Sequence, residues 1–219
     1  MSNFVTVTYE GKDSIQEIQK KFKDNLKEKE ILKTTARAIN ETAKKVQGFI
    51  RQGVRKEYTI KNKYLMKSSY VSKMASGVGN RLYAHVKFSY RPVPMIAFKH
   101  TGTSKIERPI TVTIKRGKSI RLRHAWIGIK RRAKKDIPER EAIFSFGRYI
   151  GKRFVPDLNA KKGDWKNKAG ELMTSSPYAM SMNKNMQPKI NEYVSRELPV
   201  KLQVFLQQKI DKMKRTPVA

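Results

Sequence analysis

Apolar residues return at helical spacing through the first part of the chain. Ile15, Ile18, Phe22 and Leu26 recur every three or four positions, and after the polar Lys27 to Glu30 a similar face continues with Leu32, Ala36, Ile39, Ala43, Val46 and Ile50. The spacing predicts a helical hairpin or one long broken helix from Asp13 to Tyr58. Asp13 or Ser14 would cap its start, and Gly53 would be a weak point near its end. The same rhythm returns from Gln187 to Arg215 at Ile190, Val194, Leu198, Leu202, Leu206, Ile210 and Met213. Pro199 falls inside that pattern and should kink or interrupt the helix, because it lacks a backbone donor and crowds the preceding turn.

Between the helical ends the period shortens to two. Leu82 to Phe88, Ile110 to Ile114 and Ser119 to Ile129 alternate as strands do. Turn signals separate them at Gly77-Val78-Gly79, Pro92-Val93-Pro94, Gly102 and Gly117. Ala142 to Val155 alternates around Gly147 and Gly151 like a hairpin pair. The class this predicts is α+β: an N-terminal long helix or helical hairpin (13–58), a basic antiparallel β region (61–155) and a C-terminal helix kinked at Pro199 (187–215), together one domain over 1–219.

Charge sharpens the picture. The 219 residues carry 49 Lys plus Arg against 18 Asp plus Glu, a formal net charge of +31. Lys61 to Lys135 alone holds 20 Lys plus Arg and a single acid, Glu107. Such an excess repels itself unless polyanions or acidic subunits compensate it, and nucleic acid is the first candidate. The hydrophobic fraction of 38% fits a folded chain. No cysteine is present, so disulfides, thiolate metal sites and cysteine nucleophiles are excluded. The first ten residues have no signal-peptide pattern and no apolar run is of membrane-spanning length, so synthesis in a cytoplasm, without membrane association, is expected.

Catalytic signals are weak throughout. His85, His100 and His124 are scattered, with no metal-ligand spacing. Gly77-Val78-Gly79 lacks the third glycine of a dinucleotide fingerprint, and Gly117-Lys118-Ser119 lacks the upstream glycine of a phosphate loop. The chain reads as a non-enzyme without cofactor or metal. What remains is the stretch from Lys115 to Lys135, whose phosphate-binding candidates are Lys115, Arg116, Lys118, Arg121, Arg123, Lys130, Arg131, Arg132, Lys134 and Lys135. Trp126 among them reads as core. Contact with double-stranded DNA would be to its backbone and independent of sequence. The rival reading is a flexible, solvated hairpin tip or a surface docked on acidic protein subunits.

Lys33 to Leu65, with its Ala-Ile-Asn-x-Thr-Ala run at Ala38 to Ala43 and the basic stretch that follows, resembles the N-terminal helix of the phage minor tail protein Z family. Ala142 to Arg153 looks like that family's strand entering its C-terminal half. Met182 to Ile210 is similar to its closing helical region, including the Arg-Glu-Leu-Pro turn at Arg196 to Pro199. The resemblance implies a structural virion protein, assembled in a bacterial cytoplasm, that completes the tail at its head-proximal end. Tail terminator and tail-tube proteins would be its partners, and head-tail joining and positioning of the DNA end its tasks. Tail geometry adds the expectation of a homo-oligomer, such as a hexameric ring. The alternative is a free nucleic-acid-binding protein that coats or compacts DNA or RNA.

Overall fold

The computed structural model of the chain describes residues 4–5, 12–72, 74–78, 82–102, 109–122, 125–130, 140–150, 153–156, 168–182 and 185–215. In chain order its elements begin with β1 (Phe4–Val5), α1 (Lys12–Lys21), α2 (Glu28–Glu57), α3 (Asn62–Lys67), β2 (Ser69–Val71) and β3 (Val86–Phe88). There follow β4 (Val93–Pro94), a 3-10 turn at Met95–Ala97, β5 (Lys99–Thr101), β6 (Ile110–Lys115), β7 (Lys118–Leu122), β8 (Ala125–Lys130) and β9 (Arg140–Ile150). The last are β10 (Arg153–Pro156), β11 (Lys168–Glu171), β12 (Met173–Thr174), α4 (Pro177–Ser181) and α5 (Met186–Arg215). Long helices toward both ends and antiparallel strand pairs between them make the class α+β.

The residues group into two compact units. The first comprises Met1–Gly53, Ser68–Tyr90 and Tyr178–Ala219, the second Val54–Lys67 and Arg91–Pro177. The first unit is organised by an antiparallel pair of helices. The Arg37 guanidinium lies 4.5 Å from the Phe205 ring centre, Lys201 donates to Glu41 at 3.2 Å, Lys45 to Glu197 at 3.2 Å, and Phe49 stacks on Tyr193 at 4.6 Å. Each step advances four residues on α2 and retreats four on α5, about one turn of each helix. The apolar stripe read from the sequence is the buried one: Ile190, Val194, Leu198, Leu202, Leu206 and Ile210 are inside, whereas Met213 is 48% exposed.

Of the kink or interruption expected at Pro199, the interruption does not occur. α5 runs through Pro199. The proline removes the donor that the Ser195 carbonyl would use, but Leu198 and Leu202 are buried on either side of it and hold both halves in one helix. α2 likewise passes Gly53. That glycine is a point of close approach, because a Cβ there would stand 2.6 Å from the Met186 sulfur on α5.

The N-terminal helix does break, at Phe22 to Lys27, slightly ahead of the Lys27 to Glu30 interruption read from the sequence. Lys20 and Lys21 end α1 and Glu28 and Glu30 begin α2, so each charge sits at the helix end whose dipole it complements. α1 starts at Lys12, which places Asp13 and Ser14 inside its first turn instead of at a cap ahead of it. Gln19 ties α1 to α2 by donating to the buried Thr35 hydroxyl at 3.0 Å.

The Ala38–Ala43 run has a local purpose in this unit. Asn40 grips the backbone of Ala75 from both sides, accepting its N–H at 2.7 Å and donating to its carbonyl at 2.9 Å. Gly77 then packs on the α2 backbone, where a Cβ would lie 2.6 Å from the Lys33 Cα. The glycine read as a turn signal is therefore also a docking point. Past it, the strand expected over Leu82 to Phe88 is regular only at β3, which lies between β1 and β2.

In the second unit Pro92 to Pro94 does not make the turn expected of it. Val93 and Pro94 form β4, paired with β12, and this two-stranded sheet lets a proline sit where no ladder donor is required. The longest strand, β9, carries β8 and β10 along one edge and β11 along the other. The hairpin expected over Ala142 to Val155 is the β9–β10 pair, meeting at Ile150 and Arg153. Trp126 is half-buried and packs on Phe144 and Phe146 at 5.9 and 4.9 Å between ring centres.

Two substitutions test the docking of residues 74–78. Asn40→Ala strands a backbone donor and acceptor and is expected to cost about 1–3 kcal/mol. Gly77→Ala forces a methyl against rigid helix backbone and should cost about 1–3 kcal/mol as well. Chemical denaturation of each variant measures the loss, and a midpoint equal to wild type would refute the clamp.

Candidate nucleic-acid interface

Strands β5, β6 and β7 form one sheet whose two faces differ in chemistry. Ile110, Val112 and Leu122 are buried and lie on the same side of it. His100 and Ile120, the register partners of Val112, share that side, and alternation sends Lys99, Thr101, Thr111, Thr113, Ser119 and Arg121 to the opposite face. Register places Lys99 beside Thr113 and Thr113 beside Ser119, with Thr101, Thr111 and Arg121 forming the next row. The Thr113 and Ser119 hydroxyls touch at 2.8 Å. No carboxylate occurs on these three strands. Cations interleaved with hydroxyls are the donors that phosphate oxygens take up, and they carry no base information.

The β6–β7 turn is fastened, not loose. Gly117 at φ +78° supplies the left-handed residue that a tight turn requires. The Arg116 N–H donates to the Glu57 carbonyl at 2.9 Å, and its Nε to the Arg55 carbonyl at 3.3 Å. These are the end carbonyls of α2, which have no partner within the helix and sit at the negative end of its dipole. Thr59 bonds the same ribbon, its hydroxyl donating to the Thr113 carbonyl and accepting from the Lys99 N–H at 3.1 Å. Lys115 lies 5.6 Å from the Tyr58 ring centre. Burial, with the Glu57 charge second, pushes the Tyr58 hydroxyl above its ordinary range, so it stays neutral beside that lysine at physiological pH.

The sequence candidates separate accordingly. Lys115, Arg116, Lys118 and Arg121 are exposed on the β6–β7 hairpin. Arg116 has a structural task at the helix end. Lys130 belongs to a different cluster: it reaches Glu171 at 2.5 Å, and Arg140 holds the same carboxylate at 2.7 Å. Glu171 is only 6% exposed at its side chain, so Lys130 serves an internal ion cluster on the β8–β9–β11 face. The small pair Gly128 and Ala142 precedes the Trp126–Phe144 pair on that face and leaves the long side chains room to converge. Arg123, Arg131, Arg132, Lys134 and Lys135 lie outside the described residues.

Sequence reading missed Lys99, Thr101, Thr111, Thr113 and Ser119 as members of the face. The alternation from Thr111 to Thr113 was visible, but only strand pairing brings Lys99 and Thr101 alongside. Of the histidines, His100 donates its Nδ1–H to the Phe98 carbonyl at 2.8 Å. His124 lies outside the described residues. Among the described residues no group of three His, Asp or Glu could hold a metal ion, and no helix is long and apolar enough to cross a membrane.

Glu171→Ala would leave two partly exposed cations without their shared counter-charge and should destabilise the chain by about 1–3 kcal/mol. A denaturation midpoint that shifts by less than the error of the measurement would show that the cluster contributes nothing. Comparison of the chain with protein-family models, with curated proteins and with solved structures yields no match.

Proposed function

We propose that this chain is a structural protein of a phage or prophage tail, of the minor tail protein Z type, acting in tail completion at the head-proximal end. The observation that carries the reading is that the two most family-like segments are partners. Glu41, in the Ala38–Ala43 run, bonds Lys201, just after the Arg196–Pro199 segment of α5, and Lys45, just after the run, bonds Glu197 within that segment. Residues more than 150 positions apart thus make one helical scaffold. The resemblance in two distant stretches is accounted for by a single structural demand, without any catalytic motif.

In this reading the helical unit packs among tail-tube and terminator subunits in a homo-oligomeric ring. The basic sheet of the second unit meets the backbone of double-stranded DNA, and the protein helps to join head to tail and to place the DNA end. Deleting the gene from the phage or prophage and imaging the lysate by negative-stain electron microscopy, alongside infectious titre, tests it. Heads separate from tails, or joined particles that do not infect, are the expected outcome. Normal infectious particles would overturn it.

The hydroxyl-and-cation face also favours a second reading, a free sequence-independent nucleic-acid-binding protein. Each phosphate neutralised contributes about −0.9 to the slope of log affinity against log salt. The double variant Lys118→Gln, Arg121→Gln should therefore flatten the slope for duplex DNA by about 2. An unchanged slope would remove this face from DNA contact under either reading.

A further inference from the structure

The three-stranded sheet of the first unit carries a different chemistry. Ser69, Val86 and Phe88 are buried, so alternation sends Tyr70 and its register partner Lys87 to the opposite side. Pairing continues beyond the strands, because the Ser72 N–H donates to the His85 carbonyl at 2.8 Å. Tyr83 lies two residues before His85, and their rings are in contact at 5.3 Å. Tyr70 is 57% exposed and Tyr83 47% exposed. From Tyr58 to Ile106 the sequence contains no carboxylate.

We propose that this face binds single-stranded nucleic acid, with Tyr70 and Tyr83 stacking on unpaired bases and Lys87 facing the phosphates. Exposed aromatic rings on a sheet beside cations make a platform for any base, since every base has a π-face. A duplex keeps its bases stacked inside and offers these rings nothing flat to cover. An acidic protein would match the charge but would give no reason for two exposed rings on one face. The proposal stands independently of the tail reading: it concerns unpaired strands and the first unit, whereas duplex contact was assigned to the second.

Fluorescence anisotropy of the full chain with a labelled oligo-dT of about 16 nucleotides, against a hairpin duplex of the same length, tests it. At about 200 mM salt, where backbone attraction is weakened, the single strand should bind more tightly than the duplex. Tyr70→Ala and Tyr83→Ala should each lower single-strand affinity about 5- to 150-fold. Tyr→Phe at either position should retain it, and Tyr→Leu, which keeps apolar bulk without a flat ring, should lose it. Lys118→Gln with Arg121→Gln should weaken duplex binding and leave the loss caused by the tyrosine variants in place. Full affinity in the alanine variants, a loss in Tyr→Phe equal to that in Tyr→Ala, or tighter binding of the duplex would overturn the proposal. Failure of the gene-deletion test would leave these results untouched, and the converse also holds.

Discussion

The first unit depends on the antiparallel register of α2 and α5. A helix that repeats its contacts every four residues must find a partner with the same repeat, and here both do so over several turns. The buried leucines and isoleucines of α5 supply most of the driving force, since each fully buried aliphatic side chain contributes about 1.5–3 kcal/mol. The polar and aromatic pairs along the seam contribute less energy but fix which residue lies opposite which. Glu41 shows the balance: burial alone would raise its carboxyl, yet hydrogen bonds and charge from Lys201 and Arg37 bring it below its ordinary range. Asn40 and Gly77 then attach the β-bearing segment to α2, so the sheet of that unit inherits its position from the helix.

The distribution of acids explains how so cationic a chain folds at all. In the helical scaffold Glu30, Glu41 and Glu197 each meet a lysine on the facing helix. In the second unit the buried Glu171 is shared by Lys130 and Arg140. These four carboxylates are used in ties that fix register, and the strands of the hairpin sheet carry none. The residual repulsion is a standing demand for anionic partners. Charge here is organised by unit, and the total of +31 understates that.

Much of the fold was legible in the sequence because helical periodicity is a one-dimensional signal. The stripe from Ile190 to Ile210 and the α1–α2 break could be read from spacing, with the break displaced by a few residues. Pro199 and Gly53 show a limit of local propensity: it penalises both, yet each helix continues where buried residues flank the proline or a methionine from another helix fills the space above the glycine. Pro92 to Pro94 was misread because a proline-rich tripeptide looks the same in a turn and on a short two-stranded sheet. The candidate site was legible only as a count of charges. Lys130 and Arg121 are equivalent in a list of basic residues, and only strand register shows that one neutralises Glu171 while the other stands in the hydroxyl row.

Fastening the hairpin changes what its charges can do. A loose basic tip would lose side-chain and backbone freedom on meeting a polyanion, and that ordering cost would be subtracted from each phosphate contact. The ribbon from Ile110 to Leu122 has already met this cost, because its base is buried and its turn is held by the α2 end carbonyls through Arg116. One arginine is thereby withdrawn from any ligand. In return Ser119 and Arg121 are presented from a fixed strand, beside Lys99 and the Thr111–Thr113 row, with Lys118 next to the turn. The donors of this face repeat at the period of the strand, about 6.8 Å for alternate residues.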